Sequence, residues 1–323
     1  MAVSASQSVP WGSGVAMPAA RRGDERFAHF LAATAHRVLR GAGAFWYDAS
    51  PGFFLSLPSH HQLRPTAADL RALLRHQPCA GLRFPAPLDG PGKLSYQIVC
   101  DARGYDVAGL GANVRSKVRR GLRRCTIAPV PFATIAAEGM AADRDTLSRQ
   151  GRAVRLDGPA WQRFWEAAAA TVGMEGWAAY VGAEMAAFLV SVQFDDSVEF
   201  LLARSRSSCL DAYPNNALIF RVAREMLVHR GLRQITFGLE SLEPVRALDQ
   251  FKFGMGFRPA QLRQRVVFHP LVRALLRPGA VRAALRRYAD ARGVEGGVWR
   301  KALGLVRFAE AGGELGPAIG RAA

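Results

Sequence analysis

Cysteines are few in this sequence, and long apolar runs are absent. The cysteines are widely spaced, and no C-x-x-C pair or His–Cys cluster occurs among the four of them: Cys79, Cys100, Cys125 and Cys209. This spacing indicates neither a zinc site nor a disulfide framework, and a reducing cytosol is the simplest location for the protein. No segment approaches the ~20 apolar residues of a membrane-spanning helix. We therefore expect a cytoplasmic protein that binds no metal.

Several catalytic motifs are also missing. No G-x-S-x-G, H-E-x-x-H or P-loop sequence occurs, so a serine hydrolase, a zinc protease and a nucleoside triphosphatase have no support. The histidines His60, His61 and His229 have no partner at metal-ligand spacing. We interpret these histidines as structural.

Acidic residues are fewer than basic ones. The chain has 43 Lys and Arg against 26 Asp and Glu, which gives a formal net charge of +17. Residues 113–124 hold six basic side chains and no acid, and residues 251–323 hold fourteen basic and four acidic ones. Such clusters attract phosphate-bearing partners such as CoA, tRNA and lipid head groups, although a solvated basic surface has the same composition.

The 323 residues are enough for two domains of ordinary size. Residues 1–23 are rich in Ser, Ala, Gly and Pro and lack an apolar centre, which indicates a disordered leader rather than a signal peptide. Helical and strand-like patterns then alternate and predict two α/β halves, at 24–130 and 131–268. Basic helices follow at 269–323.

The first of these basic helices is amphipathic. Its apolar side consists of four residues, Leu271, Val272, Leu275 and Leu276, and arginines populate the polar sides of both helices. Such helices either pack on the core or lie on an anionic membrane, and the pattern over 270–290 permits both.

The stretch 213–256 carries the clearest pattern of the chain. Asn215 and Asn216 open an amphipathic helix, Gly231 ends it, and a short β-branched and aromatic strand follows. A second short helix then runs to Lys252. A helix that starts after a strand directs free backbone N–H groups and a partial positive charge at one spot, which suits a phosphate; an αβα unit without a ligand has the same pattern.

The runs PNNALIFRVAREMLVHRGLRQITFG and FKFGMGFRP resemble the second half of a GNAT acyltransferase domain in its FemAB-like branch. In that branch a Pro-Asn loop opens the helix, a Gly precedes a strand ending in Phe-Gly, and a Phe-Lys pair precedes a glycine turn. RSKVRRGLRR also resembles the basic helix that the branch carries between its halves. The glycine-rich acyl-CoA loop of ordinary GNAT enzymes, Q/R-x-x-G-x-G/A, is not present.

The resemblance implies an α/β fold of the α+β type, with tandem GNAT-like halves. Their mixed, largely antiparallel sheets would be flanked by helices, with the basic C-terminal helices added. It places the acyl donor in a splay between strands near 198–204 and 233–238. The donor carbonyl would face the backbone of Leu202 and Ala203, and the pyrophosphate would lie by the helix start at Tyr213, Asn215, Asn216 and Ala217.

The resemblance also suggests side chains for the reaction. Lys252 matches the Phe-Lys position and would stabilise negative charge on the carbonyl oxygen. Glu240 follows the strand end at Phe237-Gly238, so it is the candidate general base. Three arginines of the basic helix, Arg115, Arg119 and Arg123, would grip phosphate, although an amphipathic surface helix has the same pattern.

These expectations lead to three functional hypotheses. The first is N-acyl transfer from an acyl-CoA-type co-substrate, with no tightly bound cofactor, to an amine on a cell-envelope or metabolite precursor. The second is FemAB-type transfer from aminoacyl-tRNA, whose usual coiled arm has no counterpart between 172 and 259. The third is a non-catalytic module that binds RNA or the inner face of the membrane through its basic tail.

Overall fold

A computed structural model describes residues 22–50, 52–76, 78–152, 158–243, 245–291 and 297–315. Most of the predicted leader lies outside these residues, and the first helix already begins at Arg22. None of the described helices is long and apolar enough to cross a membrane.

The described residues form a large sheet with helices on both of its faces. The strands are β1 (Val38–Gly41), β2 (Ala44–Ser50), β3 (Phe53–Leu57), β4 (Gly81–Ala86), β5 (Lys93–Cys100), β6 (Thr126–Val130), β7 (Met174–Val181), β8 (Glu184–Phe194), β9 (Ser197–Ser205), β10 (Gln234–Leu239) and β11 (Arg258–Phe268). The helices are α1 (Arg22–Ala33), α2 (Ala67–His76), α3 (Ala112–Arg124), α4 (Phe132–Glu138), α5 (Met140–Arg149), α6 (Gly158–Ala170), α7 (Pro214–Arg224), α8 (Arg246–Gly254), α9 (Pro270–Leu276), α10 (Gly279–Ala291) and α11 (Gly297–Ala311).

The strand order in the sheet is β1-β2-β3-β4-β11-β5-β10-β9-β8-β7-β6. Neighbouring strands are antiparallel except for two parallel pairs, β3 with β4 and β9 with β10. In both pairs a helix connects the strands, α2 in the first half and α7 in the second. This repeat of one parallel pair and one crossover helix confirms the predicted tandem α/β architecture.

In the middle of the sheet one strand of each half lies among the strands of the other half. β11 lies between β4 and β5, and β5 lies between β11 and β10. The sheet therefore runs without a break across the predicted boundary at residue 130. Backbone hydrogen bonds join the halves directly, through the β4–β11 and β5–β10 pairs.

Three apolar runs separated by turn residues over 177–205 predict an antiparallel meander, and β7, β8 and β9 form it. Gly182 and Asp195 occupy its two turns with φ of 60° and 50°, in the left-handed region that tight turns require. Ala186, Phe188 and Val190 on β8 are fully buried, because helices cover both faces of this central strand.

Helices α3 and α7 pack on one face of the sheet, and α1, α4 and α6 pack on the other. The apolar spacing of Val114, Val118 and Leu122 predicts that all three pack inward from α3, and this prediction is partly wrong. Val118 is completely buried, but Leu122 is 39% exposed. Gly121 takes the contact instead, because its missing side chain lets α3 approach the start of α7.

The predicted apolar side of the first C-terminal helix is also only partly buried. Val272 and Leu276 of α9 pack against a cluster with α11. Leu271 and Leu275 are 75% and 65% exposed. The four residues span too wide an arc of a helix for one contact surface to cover all of them.

Candidate functional site

β9 and β10 begin as a pair and then separate. Their pairing covers only Gln234 with Ser197, Ile235 with Val198, and Thr236 with Glu199. Beyond these residues β9 continues beside β8, and β10 continues beside β5. An opening between the two strands therefore lies where the resemblance placed the donor.

A β-bulge in β9 lies beside this opening. Val190 of β8 pairs with Leu202 while Ser191 pairs with Phe200, so Leu201 is an extra residue without a partner. A bulge bends the strand and turns backbone groups away from the ladder. Leu202 and Ala203 follow the bulge, on the part of β9 that has left β10.

Aromatic rings pack against one another where β9 and β10 separate, on the face that carries α7. The centroids of Phe200 and Phe237 are 5.3 Å apart, and those of Phe237 and Phe257 are 4.8 Å apart. The Nζ atom of Lys252 lies 5.3 Å from the centre of the Phe237 ring. The sequence-predicted lysine therefore lies at the end of β10, beside the opening.

Lys252 belongs to a small polar group on the same face. Its Nζ donates to Asp249 at 3.2 Å, and the hydroxyl of Tyr96 donates to the same carboxylate at 3.0 Å. Burial lowers the pKa of Lys252, and the charge of Asp249 opposes this effect. Burial and the bond to Asp249 raise the pKa of Tyr96 to about 12.

A second carboxylate lies on the opposite face of the opening. Glu199 of β9 accepts a hydrogen bond of 2.7 Å from Ser59, and Gln97 donates to the Ser59 hydroxyl at 3.4 Å. A Cβ atom on Gly238 would be 3.6 Å from Glu199 Oε1, so no side chain separates this carboxylate from the backbone of β10. Burial raises the pKa of Glu199, and the bond from Ser59 partly offsets the effect.

Glu199 was not among the residues that the sequence suggested. The only sequence feature that marks Glu199 is its position as an acid between apolar residues in the strand SVEFLLARS. Side chains alternate along a strand, so Glu199 points to one face of the sheet while Val198 and Phe200 point to the other. Tyr47 from the first half lies near it, since burial and the charge of Glu199 raise the pKa of the Tyr47 hydroxyl.

Glu240, the predicted base, is held in a separate polar network. Its Oε2 accepts from Lys93 at 2.8 Å and from Ser95 at 2.5 Å. Successive strand residues point to opposite faces, so Ser95 and Glu240 lie across the sheet from Tyr96 and its partner Asp249. The structure therefore does not place Glu240 beside Lys252, and Glu199 is the carboxylate nearer the β9–β10 opening.

Side-chain contacts hold the start of α7 against neighbouring elements. Tyr213 adopts a left-handed φ of 56° before the helix. Asn215 donates to the Ser205 hydroxyl at 2.7 Å, while its buried Oδ1 has no hydrogen-bond partner among the described residues. Asn216 is buried and donates to the sulfur of Met255 at 3.4 Å. Ala217 is also fully buried, so the predicted pyrophosphate residues lie together, mostly beneath the surface.

An arginine that the sequence did not suggest reaches the same end of β9. Arg149 of α5 donates to the carbonyl and the hydroxyl of Ser205 at 2.8 and 2.9 Å. It also donates to Ser207 at 2.5 Å. A cation and the orphaned Asn215 oxygen thus meet at Ser205.

Of the basic residues in α3, the ones that contact the α7 start differ from the predicted three. Arg120 stacks over the Tyr213 ring at 5.0 Å, and Arg124 donates to the carbonyl of Asp211 at 2.9 Å. Arg115 contacts the Ala108 carbonyl, and the remaining predicted pair, Arg119 and Arg123, is exposed.

The comparisons with known proteins agree with this architecture. No family profile matches the sequence, and no curated protein sequence matches it. FemX matches with a TM-score of 0.54 at 12% identity, over 76% of this chain and 91% of FemX. The C-terminal domain of a putative lysylphosphatidylglycerol synthetase from Agrobacterium fabrum matches with a TM-score of 0.52 at 13% identity, over 76% of this chain and 88% of that domain.

A third solved structure, L-PGS from Bacillus licheniformis, matches with a TM-score of 0.52 at 12% identity, over 74% of this chain and 86% of that one. At such identities the similarity shows the fold. The chain therefore has the GNAT-like α/β fold of these proteins, and the predicted resemblance to the FemAB-like branch is confirmed at the level of fold.

Proposed function

We propose that this protein is an acyltransferase that holds an activated acyl group in the opening between β9 and β10 and transfers it to an amine. The observation that carries the proposal is the separation of these strands after Glu199 and Thr236. The bulge at Leu201 and the two polar groups on either face of the opening support it.

The two faces have different roles in this proposal. The donor approaches on the face of α7 and Lys252, and its acyl carbon enters the opening. The acceptor approaches on the face of Glu199, where Ser59 and Gln97 position the carboxylate through hydrogen bonds and Tyr47 lies near it. The amine and the acyl carbon then meet between the strands.

Glu199 acts as the general base. Its carboxylate removes a proton from the acceptor ammonium, and the free amine attacks the acyl carbonyl carbon. A carboxyl with a raised pKa suits this task, because proton transfer is most effective when the pKa of the base is near the working pH.

The negative charge that develops on the carbonyl oxygen needs hydrogen-bond donors on the side of the opening away from Glu199. Consecutive strand residues direct their N–H groups to opposite edges, so of Leu202 and Ala203 one N–H points away from β8 and faces the carbonyl oxygen. The Lys252 ammonium adds positive charge at the strand end. The C–N bond forms and the bond to the leaving group breaks. The attacking nitrogen gives up its second proton, and a thiolate leaving group takes up that proton.

An acyl-CoA is the donor that we place first, as a co-substrate rather than a bound cofactor. The described residues between Val172 and Pro259 form β7 to β10, α7 and α8, with no inserted helical arm. A small donor needs no such arm. Its phosphates would lie by Arg149 and the α7 start.

Aminoacyl-tRNA is the second donor, and the fold similarity favours it. FemX, L-PGS and the C-terminal domain of a putative lysylphosphatidylglycerol synthetase share the fold. Exposed Arg119 and Arg123 on α3 could contact an RNA backbone. Both donors are cytoplasmic molecules, so both versions place the reaction in the cytoplasm.

The deciding experiment is mass spectrometry of small molecules that co-purify with the protein, followed by titration calorimetry with CoA and filter binding with tRNA. Saturable heat with CoA, together with acyl transfer to a co-purified amine, supports the first donor. Binding that requires charged tRNA supports the second. Binding of uncharged tRNA equal to that of charged tRNA, without turnover of either donor, would contradict the transferase proposal.

A further inference from the structure

A basic groove lies between α2, α9 and β11, away from the β9–β10 opening. Its volume is about 480 Å³. Its floor is apolar, with Leu70 and Leu74 from α2 and Phe268 from β11. The arginines around it are Arg71, Arg265, Arg273 and Arg277.

Three of these four arginines have no carboxylate partner among the residues that the structure describes. Arg265 pairs with Glu314 at 2.5 Å, and Glu314 is the acidic residue that lines the groove. No ion pair within the described part of the chain involves Arg71, Arg273 or Arg277. The groove therefore offers three unneutralised cations above an apolar floor, which complements a molecule with an anionic head and an apolar body.

Helix α9 carries exposed leucines next to the same groove. At about 100° per residue, Arg273 and Arg277 lie on one flank of the helix and Leu271 and Leu275 on the other. Ala274 points outward between these flanks, and Leu276 is buried beneath. Leu271 and Leu275 have 75% and 65% of their surface exposed, although nearby leucines of the chain pack into a core.

We propose that α9 and this groove form a docking surface for an anionic phospholipid bilayer. The leucines enter the apolar layer, and Arg71, Arg273 and Arg277 bind lipid phosphates, one of which lies in the groove. Leucines on one flank and arginines on the other are the arrangement expected of a helix that lies in a membrane interface. The proposal is independent of the transferase reaction.

The test is co-sedimentation of the full chain with vesicles of phosphatidylcholine alone, or of phosphatidylcholine and phosphatidylglycerol in equal amounts. We expect binding to the anionic vesicles only, weakened by salt. Arg273→Gln/Arg277→Gln should weaken the partition about thirtyfold, because each arginine near an anionic surface contributes about fivefold. Leu271→Ser/Leu275→Ser should weaken it about tenfold or more.

A charge-matched control is Arg144→Gln/Arg163→Gln on α5 and α6, two exposed arginines remote from the groove. Its binding to anionic vesicles should be close to that of the unchanged protein, with only the small decrease that the lower net charge causes. Equal losses in the control and in the Arg273/Arg277 variant would overturn the proposal. Full binding by the leucine variant would overturn it too, since attraction by net charge alone needs no insertion. Circular dichroism melting verifies that each variant folds.

A further measurement distinguishes a bilayer from a soluble anion as the ligand of the groove. Inorganic phosphate and glycerophosphate are titrated into the protein without vesicles and monitored by calorimetry. Weak or absent heat agrees with a bilayer as the occupant. Tight binding of either anion, lost in the Arg273/Arg277 variant, would show that the groove takes a soluble phosphate and would overturn the membrane assignment.

Discussion

Ser59 donates a hydrogen bond of 2.7 Å to Glu199, although 140 positions separate the two residues in the chain. Ser59 follows β3, and four strands lie between β3 and β9 in the sheet. In a flat sheet five strand spacings would hold these strands roughly 24 Å apart. The sheet therefore curves, and its inner face brings a residue of each half to one point.

The first prediction concerns Glu199 as the base. Glu199→Gln should lower kcat/KM about a hundredfold or more, because a general base typically contributes 10²- to 10⁴-fold, roughly. The neutral amide keeps the shape of the side chain but takes no proton. The measurement is steady-state kinetics with the acceptor that mass spectrometry identifies.

Ser59→Ala provides a second measurement at the same place. The hydrogen bond from Ser59 lowers the pKa of Glu199, so its removal should raise that pKa. The acidic limb of the pH–rate profile should then move to higher pH. An unchanged profile would mean that another group supplies the base.

The second prediction uses the pKa of Glu199 to predict stability. Burial raises this pKa in the folded protein above the value of about 4.3 in an unfolded chain. A group of this kind contributes stability below its unfolded pKa, and this stability is lost as the pH rises through the folded pKa. The unchanged protein therefore loses stability as the pH rises from acidic to neutral, and Glu199→Gln does not. The melting temperature of Glu199→Gln minus that of the unchanged protein should increase over this pH range.

The control for the pH series is Glu166→Gln, which changes an exposed carboxyl on α6. Its melting temperature should follow that of the unchanged protein across the series. A constant difference between Glu199→Gln and the unchanged protein at every pH would contradict a raised pKa.

The third prediction concerns Lys252. Lys252→Met should lower kcat more than it changes KM, by about tenfold to a hundredfold, if the ammonium stabilises charge that appears only in the transition state. Lys252→Arg should retain part of the activity, because the positive charge remains but its position shifts. Equal kcat for Lys252→Met and the unchanged enzyme would assign Lys252 a structural role beside Phe237 and Asp249.

The fourth prediction concerns the contact of α3 with the start of α7. A Cβ atom on Gly121 would lie 2.7 Å from the Tyr213 carbonyl oxygen and 2.8 Å from the Ala217 Cβ. Gly121→Ala should therefore reduce the free energy of unfolding by about 1–3 kcal/mol and weaken donor binding. Denaturant unfolding measures the first effect and calorimetry the second.

Gly104→Ala is the matched substitution, since no atom of the described residues lies within 4 Å of the Cβ position of Gly104. Its unfolding free energy should stay within about 0.5 kcal/mol of the unchanged protein. If both glycine variants are equally stable, α3 does not depend on this close approach.

Several features of the fold were predictable because they rest on local pattern. The meander, α7 and the short α8 follow from periodicity and from turn residues such as Gly182 and Asp195. Lys252 was suggested by the Phe-Lys pair of the resemblance, and its Nζ atom lies beside Phe237 at the end of β10.

Other features depend on contacts that no local pattern encodes. Glu240 was a natural candidate for the base because it follows the β10 strand end, but Lys93 and Ser95 engage it across β5. Leu122 and Leu275 belong to regular apolar stripes, yet 39% and 65% of their surfaces remain exposed. Periodicity shows which side of a helix is apolar, but it does not show how wide the covering surface is.

By itself, the sequence determined the alternating elements, the position of the strand opening in the chain and the basic character of α3 and of the C-terminal helices. Only the tertiary structure decided that β11 pairs with β4 of the first half and β5 pairs with β10 of the second. It also decided that Ser59 and Tyr47 of the first half approach Glu199 of the second. Strand order and sheet curvature arise from pairings between residues far apart in the chain, and periodicity constrains each strand but not its neighbours.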